Sequence, residues 1–157
     1  MKYKKKRSII IAEAGVNHNG DMNIAFDLID IASSCKADYV KFQTFKAENL
    51  STPNAKKAKY QINKNNHGET QFEMLKKLEI KEKDHAELIK YADHKNIKFL
   101  SSPFDISSVN LLNNLGVDFF KVPSGEITNL PYLQHVGSLN KPVVISSGMA
   151  TINEISD

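Results

Sequence analysis

Five short apolar stretches, each ending in polar or small residues, constrain the fold of this chain more than any other feature. They are "SIIIAEAG", "YVKFQTF", "IKFLSSPF", "DFFKVPSGE" and "KPVVISSG", and segments with helical spacing of apolar residues lie between them. Strands that alternate with helices predict right-handed crossovers and a parallel sheet. In parallel α/β folds, ligands bind at the carboxyl ends of the strands. The pattern therefore predicts an α/β domain with its functional site at the strand ends.

The segments between the strands carry helix caps as well as helical periodicity. In "MNIAFDLIDIASSCK" we expect Asp21 to be the N-cap, and "DISSVNLLNNLG" is bounded by Asp105 in front and Gly116 behind. "ETQFEMLKKLEI", "KEKDHAELIKYADHKN" and "LPYLQHVGSLN" complete the predicted helices, with His85 and His94 on the solvent side of the second. The apolar face of the first helix would be formed by Ile24, Leu28, Ile31, Ala32 and Cys35.

The number of strands bears on whether the sheet is open or closed. A nucleotide-binding GxGxxG or Walker loop is absent from the sequence, which favours a (β/α)₈ barrel over an open five-stranded sheet. Five strands cannot close such a barrel. Thr151 and Glu154 form a capping-box pattern, which predicts that another helix begins there. We therefore expect the first part of a longer enzyme, with an open sheet as the alternative. The polar stretch 46–70 is too long for an ordinary connection, which indicates a functional loop.

Charge and composition exclude several classes of protein. The net charge of +3 comes from a basic N-terminal tail, residues 1–8, because it falls to −2 once the five cations among the first seven residues are set aside. No aromatic-and-basic stripe accompanies the tail, so we expect no nucleic-acid partner. No apolar run reaches membrane-spanning length, so no membrane partner is expected. The single cysteine, Cys35, suits a reducing compartment and predicts a cytoplasmic protein.

Two lysines fall near the carboxyl ends of predicted strands. Side chains alternate across a strand, so Lys41 and Gln43 share one face of "YVKFQTF" while Val40 and Phe42 share the other. Lysine is rarely buried without a partner, so Lys41 and the equivalent Lys121 indicate an anion between them. Such a lysine can bind a phosphate or carboxylate, or act as an amine nucleophile. The structural alternative is a salt bridge to Glu13 or Glu126.

Hydroxyl groups recur at three consecutive strand ends. Serine donates well to phosphate oxygens, and the glycines 125 and 148 beside them allow close approach of a ligand. Glu13 ends the first strand and is placed to act as a general acid or base in the same mouth. His18 is expected to be structural, and the histidines show no metal-binding spacing. The hydroxyls are those of Ser101, Ser102, Ser124, Ser146 and Ser147.

Five motifs together resemble the N-terminal barrel portion of the sialic acid synthase family. They are "IIIAEAGVNHNGD", "VKFQTFKAENLST", "FLSSPFD", "FKVPSGEITNLPYL" and "KPVVISSGMAT", and the resemblance runs from Ile9 to the end of the chain. It implies that residues 9–157 hold about the first five units of a (β/α)₈ TIM-type barrel. The remaining barrel and a small antifreeze-like domain would follow. It also implies a homodimer in which that small domain caps the partner's site.

The resemblance further implies a reaction: condensation of phosphoenolpyruvate with an N-acetylated mannosamine-type sugar to a nonulosonic acid, with phosphate lost by C–O cleavage. A divalent metal, Mn²⁺ or Mg²⁺, would polarise the sugar aldehyde, with histidine ligands on later strands outside this chain. Glu13, Lys41 and Lys121 would be catalytic, and Gln43 and Asn66 would lie near the sugar or the reacting centre. Phosphoenolpyruvate would be held by Lys41, Ser102, Lys121, Ser124 and Ser146.

Three questions stay open on the sequence alone. The motifs resemble the legionaminate and neuraminate branches more than the pseudaminate branch, and overall resemblance favours a 2,4-diacetamido-6-deoxy sugar as acceptor. This chain would hold only the phosphoenolpyruvate half of the site and be inactive alone. The rival hypotheses are a barrel aldolase that forms a Schiff base on Lys121 or Lys41, and a non-catalytic truncated product.

Overall fold

The computed structural model describes residues 7–58, 61, 68–148 and 150–156, so most of the basic tail lies outside the described residues. The strands are β1 (Ile11–Gly15), β2 (Tyr39–Thr44), β3 (Lys98–Pro103), β4 (Phe120–Val122) and β5 (Val143–Ile145). The helices are α1 (Met22–Ser34), α2 (Ala47–Leu50), α3 (Gln71–Leu78), α4 (Glu82–His94), α5 (Ile106–Asn114), α6 (Leu130–Ser138) and α7 (Ile152–Ser156). The predicted alternation of strands and helices is confirmed.

All strand pairs are parallel, as the crossovers require. β1, β2 and β3 form one hydrogen-bonded sheet in that order, and β4 pairs with β5. The described residues form no ladder between β3 and β4, although the two strands are in contact. The consecutive order keeps all five carboxyl ends at one edge, which is the arrangement that a strand-end site needs.

The first strand and first helix differ in detail from the prediction. β1 begins at Ile11 rather than at Ser8, and the preceding Ile9 and Ile10 are exposed. Asp21 is the N-cap of α1, as predicted, and accepts a hydrogen bond from the Asn23 amide. The predicted apolar face is displaced, because Ala25, Ile29 and Ala32 are the residues that α1 buries. Small alanines let α1 lie close to the sheet, which leaves the bulkier Ile24 and Ile31 38% and 60% exposed.

Two further expectations on side-chain burial are wrong. Cys35 is exposed, because it is the C-cap residue of α1 and lies outside the buried stripe. His85 is fully buried on α4 together with Leu88 and Ala92, whereas His94 is exposed as expected. A histidine can be buried when both ring nitrogens find partners, and those of His85 do.

Capping signals located helix ends reliably. Asp105 caps α5, and Gly116 follows it with φ of +80°, the left-handed conformation that closes a helix. The predicted capping box at α7 is present, because Thr151 and Glu154 bond reciprocally to each other's backbone amides. Within the described residues, no helix is long and apolar enough to cross a membrane.

The core lies between the outer face of β1–β3 and the helices. Phe42 stacks on Phe99 with ring centroids 5.7 Å apart, and Val40 is buried beside them. β5 is different, because Val143, Val144 and Ile145 are all exposed. The well-packed strands β2 and β3 therefore supply the rigid part of the strand-end edge.

Candidate functional site

β2 presents two chemically distinct faces at its carboxyl end. Val40, Phe42 and Thr44 are buried against the helices, as predicted for the apolar pair. Lys41 and Gln43 point to the opposite face, where Lys41 is only 9% exposed. Register pairs Gln43 with Ser102 on β3, so the inner face of both strands becomes polar at the same level.

Lys41 lies at the centre of a cluster from three strands. Its ammonium group forms an ion pair with Glu13, its register partner on β1, and lies 3.3 Å from Ser102 Oγ. The proposed structural alternative of a salt bridge to Glu13 is therefore present. Glu126 instead accepts a hydrogen bond from Asn129 at 2.6 Å. Lys41 thus combines a counter-ion with a hydroxyl at the mouth of the strands.

A backbone irregularity places Glu13 in this cluster. The β1–β2 register shifts between Glu13 and Gly15, and Gly15 has φ of +56°. A Cβ atom on Gly15 would lie 3.2 Å from Glu13 Oε1 and 3.8 Å from Gln43 Nε2. Glycine therefore leaves the space into which the carboxylate and the amide converge.

A second cluster forms on β4 and β5. The Lys121 ammonium donates to the Val122 carbonyl oxygen at 2.9 Å and contacts Ser146 Oγ. Ser124 lies in a 3₁₀ turn directly after β4, and its Oγ is 3.6 Å from where Gly148 would carry a Cβ. A small depression of about 310 Å³ opens between these two residues. Of the predicted strand-end hydroxyls, Ser146 therefore contacts Lys121, and Ser124 lies beside Gly148 after β4.

The charges of the two clusters influence each other. Burial lowers the pKa of the Lys121 ammonium below its ordinary value, the positive charge of Lys41 lowers it further, and the Glu13 carboxylate opposes both effects. Two cations and one carboxylate at the mouth leave an excess of positive charge. Such a site suits an anion with more than one charged oxygen.

Not every predicted residue is part of this site. Asn66 lies outside the described residues. Ser101 is fully buried on the outer face, because it precedes Ser102 and must point the other way. His18 is also buried, and its Nδ1 accepts from the Gly20 amide, which is the structural role expected for it.

Sequence reasoning missed a hydrogen-bonded group behind the site. Thr44 contacts both His85 and Ser101 on the outer face of the sheet. The sequence carried one signal for this group. On each of the two strands, the hydroxyl residue is the sequence neighbour of a predicted binding residue. His85 itself carried no such signal, because its partner lies on a strand far earlier in the chain.

The carboxylate and histidine side chains of the described residues do not form a metal site. Across the described ranges, no group of three or more His, Cys, Asp or Glu residues could hold a metal ion. These residues therefore do not fit a metal site.

A parallel α/β domain with its lysines and hydroxyls at the carboxyl ends of the strands is typical of the barrel class of α/β enzymes. This chain belongs to the NeuB family, whose sequence model matches residues 28–157. It is 55% identical over 152 residues to the N,N'-diacetyllegionaminic acid synthase of Campylobacter jejuni, covering 97% of this chain and 46% of that protein. The Legionella pneumophila synthase of the same name is 51% identical over 146 residues, covering 93% and 41%.

A solved structure supports the same assignment. The N-acetylneuraminic acid synthetase of Leptospira borgpetersenii, determined with citrate, superposes with a TM-score of 0.77 at 29% identity. The match covers 99% of this chain and 52% of that one. The chain thus spans about half or less of the length of these relatives. The predicted fold is confirmed as part of a (β/α)₈ TIM-type barrel.

Proposed function

We propose that this chain binds phosphoenolpyruvate at its strand ends, as one half of a synthase that makes a nonulosonic acid. The observation that carries the proposal is the convergence of Lys41, Ser102, Lys121 and Ser146 on one mouth. Phosphoenolpyruvate carries its phosphate and its carboxylate on the same carbon atom, C2, and two ammonium groups match two anionic groups. Family membership supports the chemistry, since the relatives are named as synthases of legionaminic and neuraminic acids.

The proposed reaction joins two substrates and releases phosphate. C3 of phosphoenolpyruvate forms a bond to the aldehyde carbon of the open-chain sugar, the carbonyl π bond breaks and its oxygen takes up a proton, and positive charge is left at C2. Water adds to C2 and loses a proton. The C–O bond to phosphate then breaks, the new hydroxyl loses its proton, and a 2-keto acid remains. Lys41 and Lys121 would hold the two anionic groups, and positioning of this kind can lower a barrier by about 7–11 kcal/mol.

Glu13 and Gln43 would act on the sugar side of the same mouth. Gly15 leaves room for both side chains, so a sugar hydroxyl between them would meet one acceptor and one donor. Glu13 would orient that hydroxyl or accept a proton from the attacking water. The acceptor would be an N-acetylated mannosamine-type sugar, and the two legionaminic acid synthases among the relatives favour a 2,4-diacetamido-6-deoxy sugar. Mn²⁺ or Mg²⁺ with ligands outside this chain, and a homodimer, complete the proposal.

Calorimetric titration of the chain with phosphoenolpyruvate tests the central claim. We expect binding that competes with inorganic phosphate, and a loss of at least about tenfold in Lys41→Met and Lys121→Met, equal to one charge-assisted contact. Lys36→Met, at an exposed turn outside the site, is the matched control. Equal affinity in all four proteins would refute the proposal.

Turnover is a separate measurement. Incubation of the chain with Mn²⁺, phosphoenolpyruvate and N-acetylmannosamine is expected to release no phosphate, because the described residues supply only part of a site. Steady phosphate release by the chain alone would contradict the half-site proposal.

One observation favours the alternative of a Schiff-base aldolase. Burial and the charge of Lys41 lower the pKa of Lys121, which makes its amine a better nucleophile. Its ammonium nevertheless has two acceptors, the Val122 carbonyl and Ser146, which suit a binding role. Borohydride reduction in the presence of pyruvate would add a covalent mass to Lys121 in an aldolase, and none in a synthase.

A further inference from the structure

Three buried polar side chains behind the sheet have no part in the proposed anion site. Thr44, Ser101 and His85 are 3%, 0% and 0% exposed. Thr44 Oγ1 lies 2.9 Å from His85 Nε2 and 2.7 Å from Ser101 Oγ. His85 Nδ1 lies 2.9 Å from the Lys81 carbonyl oxygen. The three side chains form one continuous chain of hydrogen bonds, the imidazole network, which ends at Lys81, the N-cap residue of α4.

The chemistry of its end atoms fixes the direction of this network. A carbonyl oxygen only accepts, so His85 Nδ1 carries a proton and Nε2 of the neutral ring accepts. Thr44 must then donate its one hydroxyl proton to Nε2, which leaves Ser101 to donate to Thr44. Burial lowers the pKa of the His85 imidazole, so the neutral ring is the form present near pH 7.

The network lies directly behind Ser102 of the anion site and Gln43 on the sugar side of the same mouth. Thr44 follows Gln43 on β2, and Ser101 precedes Ser102 on β3. Gln43 and Ser102 are register partners, and neighbouring side chains point to opposite faces of a sheet. The contact between Thr44 and Ser101 on the outer face therefore joins β2 and β3 at the same height in the sheet at which Gln43 and Ser102 face the ligand on the inner face.

We propose that Thr44, Ser101 and His85 are positioning residues, which anchor the carboxyl ends of β2 and β3 to α4 and thereby fix the spacing of Gln43 and Ser102. The proposal rests on the proposed function, since it gives these strand ends a ligand to be positioned for. Apolar side chains of similar size would fill the same volume without the cost of burying polar atoms. A fully satisfied polar network instead specifies one orientation.

Sulfate binding provides the test, because the charge of sulfate does not change between pH 5 and pH 8. We expect Thr44→Val, which keeps the side-chain shape, to weaken sulfate binding by about five- to tenfold at pH 7.5, the equivalent of one hydrogen bond. Thr44→Ser keeps the hydroxyl and should restore the affinity. The control is Ser33→Ala, which removes a hydroxyl bonded to the Lys95 carbonyl at 2.7 Å, away from the carboxyl ends.

A pH profile separates positioning from stability. Protonated His85 would have to donate from Nε2 to Thr44, which reverses that hydrogen bond and leaves one of the Thr44 and Ser101 hydroxyl protons without an acceptor in the network. The charged groups around His85 are Asp84 and Glu82 on α4, Lys46 after β2 and His18 after β1. We expect the sulfate affinity of the folded wild-type chain to be constant above pH 6.5 and to fall as the pH drops below 6.5 towards the lowered pKa of His85, and that of Thr44→Val to stay flat.

The outcomes distinguish this proposal from the proposed function. If neither the wild-type chain nor Lys41→Met binds sulfate, the anion site itself is refuted. If the wild-type chain binds, Lys41→Met does not, and Thr44→Val binds as the wild type does, the positioning role is wrong while the anion site stands. Should Thr44→Val not fold, Ser101→Ala removes the first donor of the network and gives the same comparison.

Discussion

The ammonium group of Lys41 contacts the carboxylate of Glu13, its register partner across β1 and β2. Lys41 is largely buried, whereas the Glu13 side chain is 52% exposed. The carboxylate can therefore turn towards solvent while the ammonium group stays in place. Glu13 neutralises Lys41 in the free protein and opposes any anion that approaches it.

Glu13→Gln should strengthen sulfate binding to the chain. Removing one negative charge near the ligand is expected to raise affinity by about fivefold at low salt, and less at high salt because the site is open to solvent. Isothermal titration at two ionic strengths measures both effects. Glu87→Gln, at an exposed position on α4, should leave the affinity unchanged. Weaker binding in Glu13→Gln would mean that the carboxylate orients the site rather than opposing the anion.

Lys121 should acylate faster than Lys98 although Lys98 is more accessible. Burial lowers the pKa of Lys121, whereas the hydrogen bond and charge of Asp118 raise the pKa of Lys98. At pH 8.5 a larger fraction of Lys121 is therefore the neutral, reactive amine. Trace labelling with acetic anhydride and mass spectrometry gives both rates. Sulfate should protect Lys121 and not Lys98, and the opposite order of rates would contradict the electrostatic coupling of the two clusters.

Gly20→Ala should destabilise the fold more than Gly116→Ala. Both glycines have φ near +80°, which costs an alanine about 1–2 kcal/mol. A Cβ on Gly20 would also lie within 3.0 Å of the Lys77 carbonyl oxygen, whereas nothing lies within 4 Å of one on Gly116. We expect Gly20→Ala to lower the free energy of unfolding, measured with urea, by about 2–4 kcal/mol. Equal losses would show that the β1–α1 loop moves away from α3 at little cost.

Stability should fall as the pH drops below about 6.5. Burial lowers the pKa of His18 and His85 in the folded chain, so the unfolded chain binds more protons in that range. Their contribution is fully present above the ordinary value of 6.5 and is lost as the pH falls towards the folded-state values, by up to about 1.4 kcal/mol per pH unit for each histidine.

Urea unfolding at several pH values between 7.5 and 5 measures how the free energy of unfolding depends on pH. Carboxylates with lowered pKa, such as Asp118, titrate from an ordinary value of 3.8 downward, so their effect falls outside this window. His85→Gln should flatten the profile, and the exposed His94→Gln should not. A wild-type profile that is flat over this range would contradict the assignment.

The features that could be predicted from the sequence are those that depend on local sequence patterns. The alternation of strands and helices, the caps Asp21 and Asp105, and the shared face of Lys41 and Gln43 follow from periodicity, short-range hydrogen bonds and side-chain alternation. Those rules need only neighbours along the chain. The meeting of Lys41 with Glu13 was open to prediction because parallel strands of one sheet share an edge.

What the sequence did not reveal depends on contacts between distant segments. Which face of α1 is buried depends on how closely alanine side chains allow the helix to approach the sheet. Helical periodicity carries no information on that distance. His85 looked like a surface residue because its burial requires Thr44, a partner on another element. Ser101 was counted among the mouth hydroxyls until alternation with Ser102 was taken into account.

Alternation along β2 has an evolutionary consequence. Ligand-side residues and network residues occupy successive positions, so inserting or deleting one residue within Tyr39–Thr44 would exchange the two sets at once. Length variation in homologues should therefore be absent from this strand and concentrated in the stretch 46–70. Change within this strand is therefore confined to substitutions, because a strand with a fixed register does not tolerate insertions.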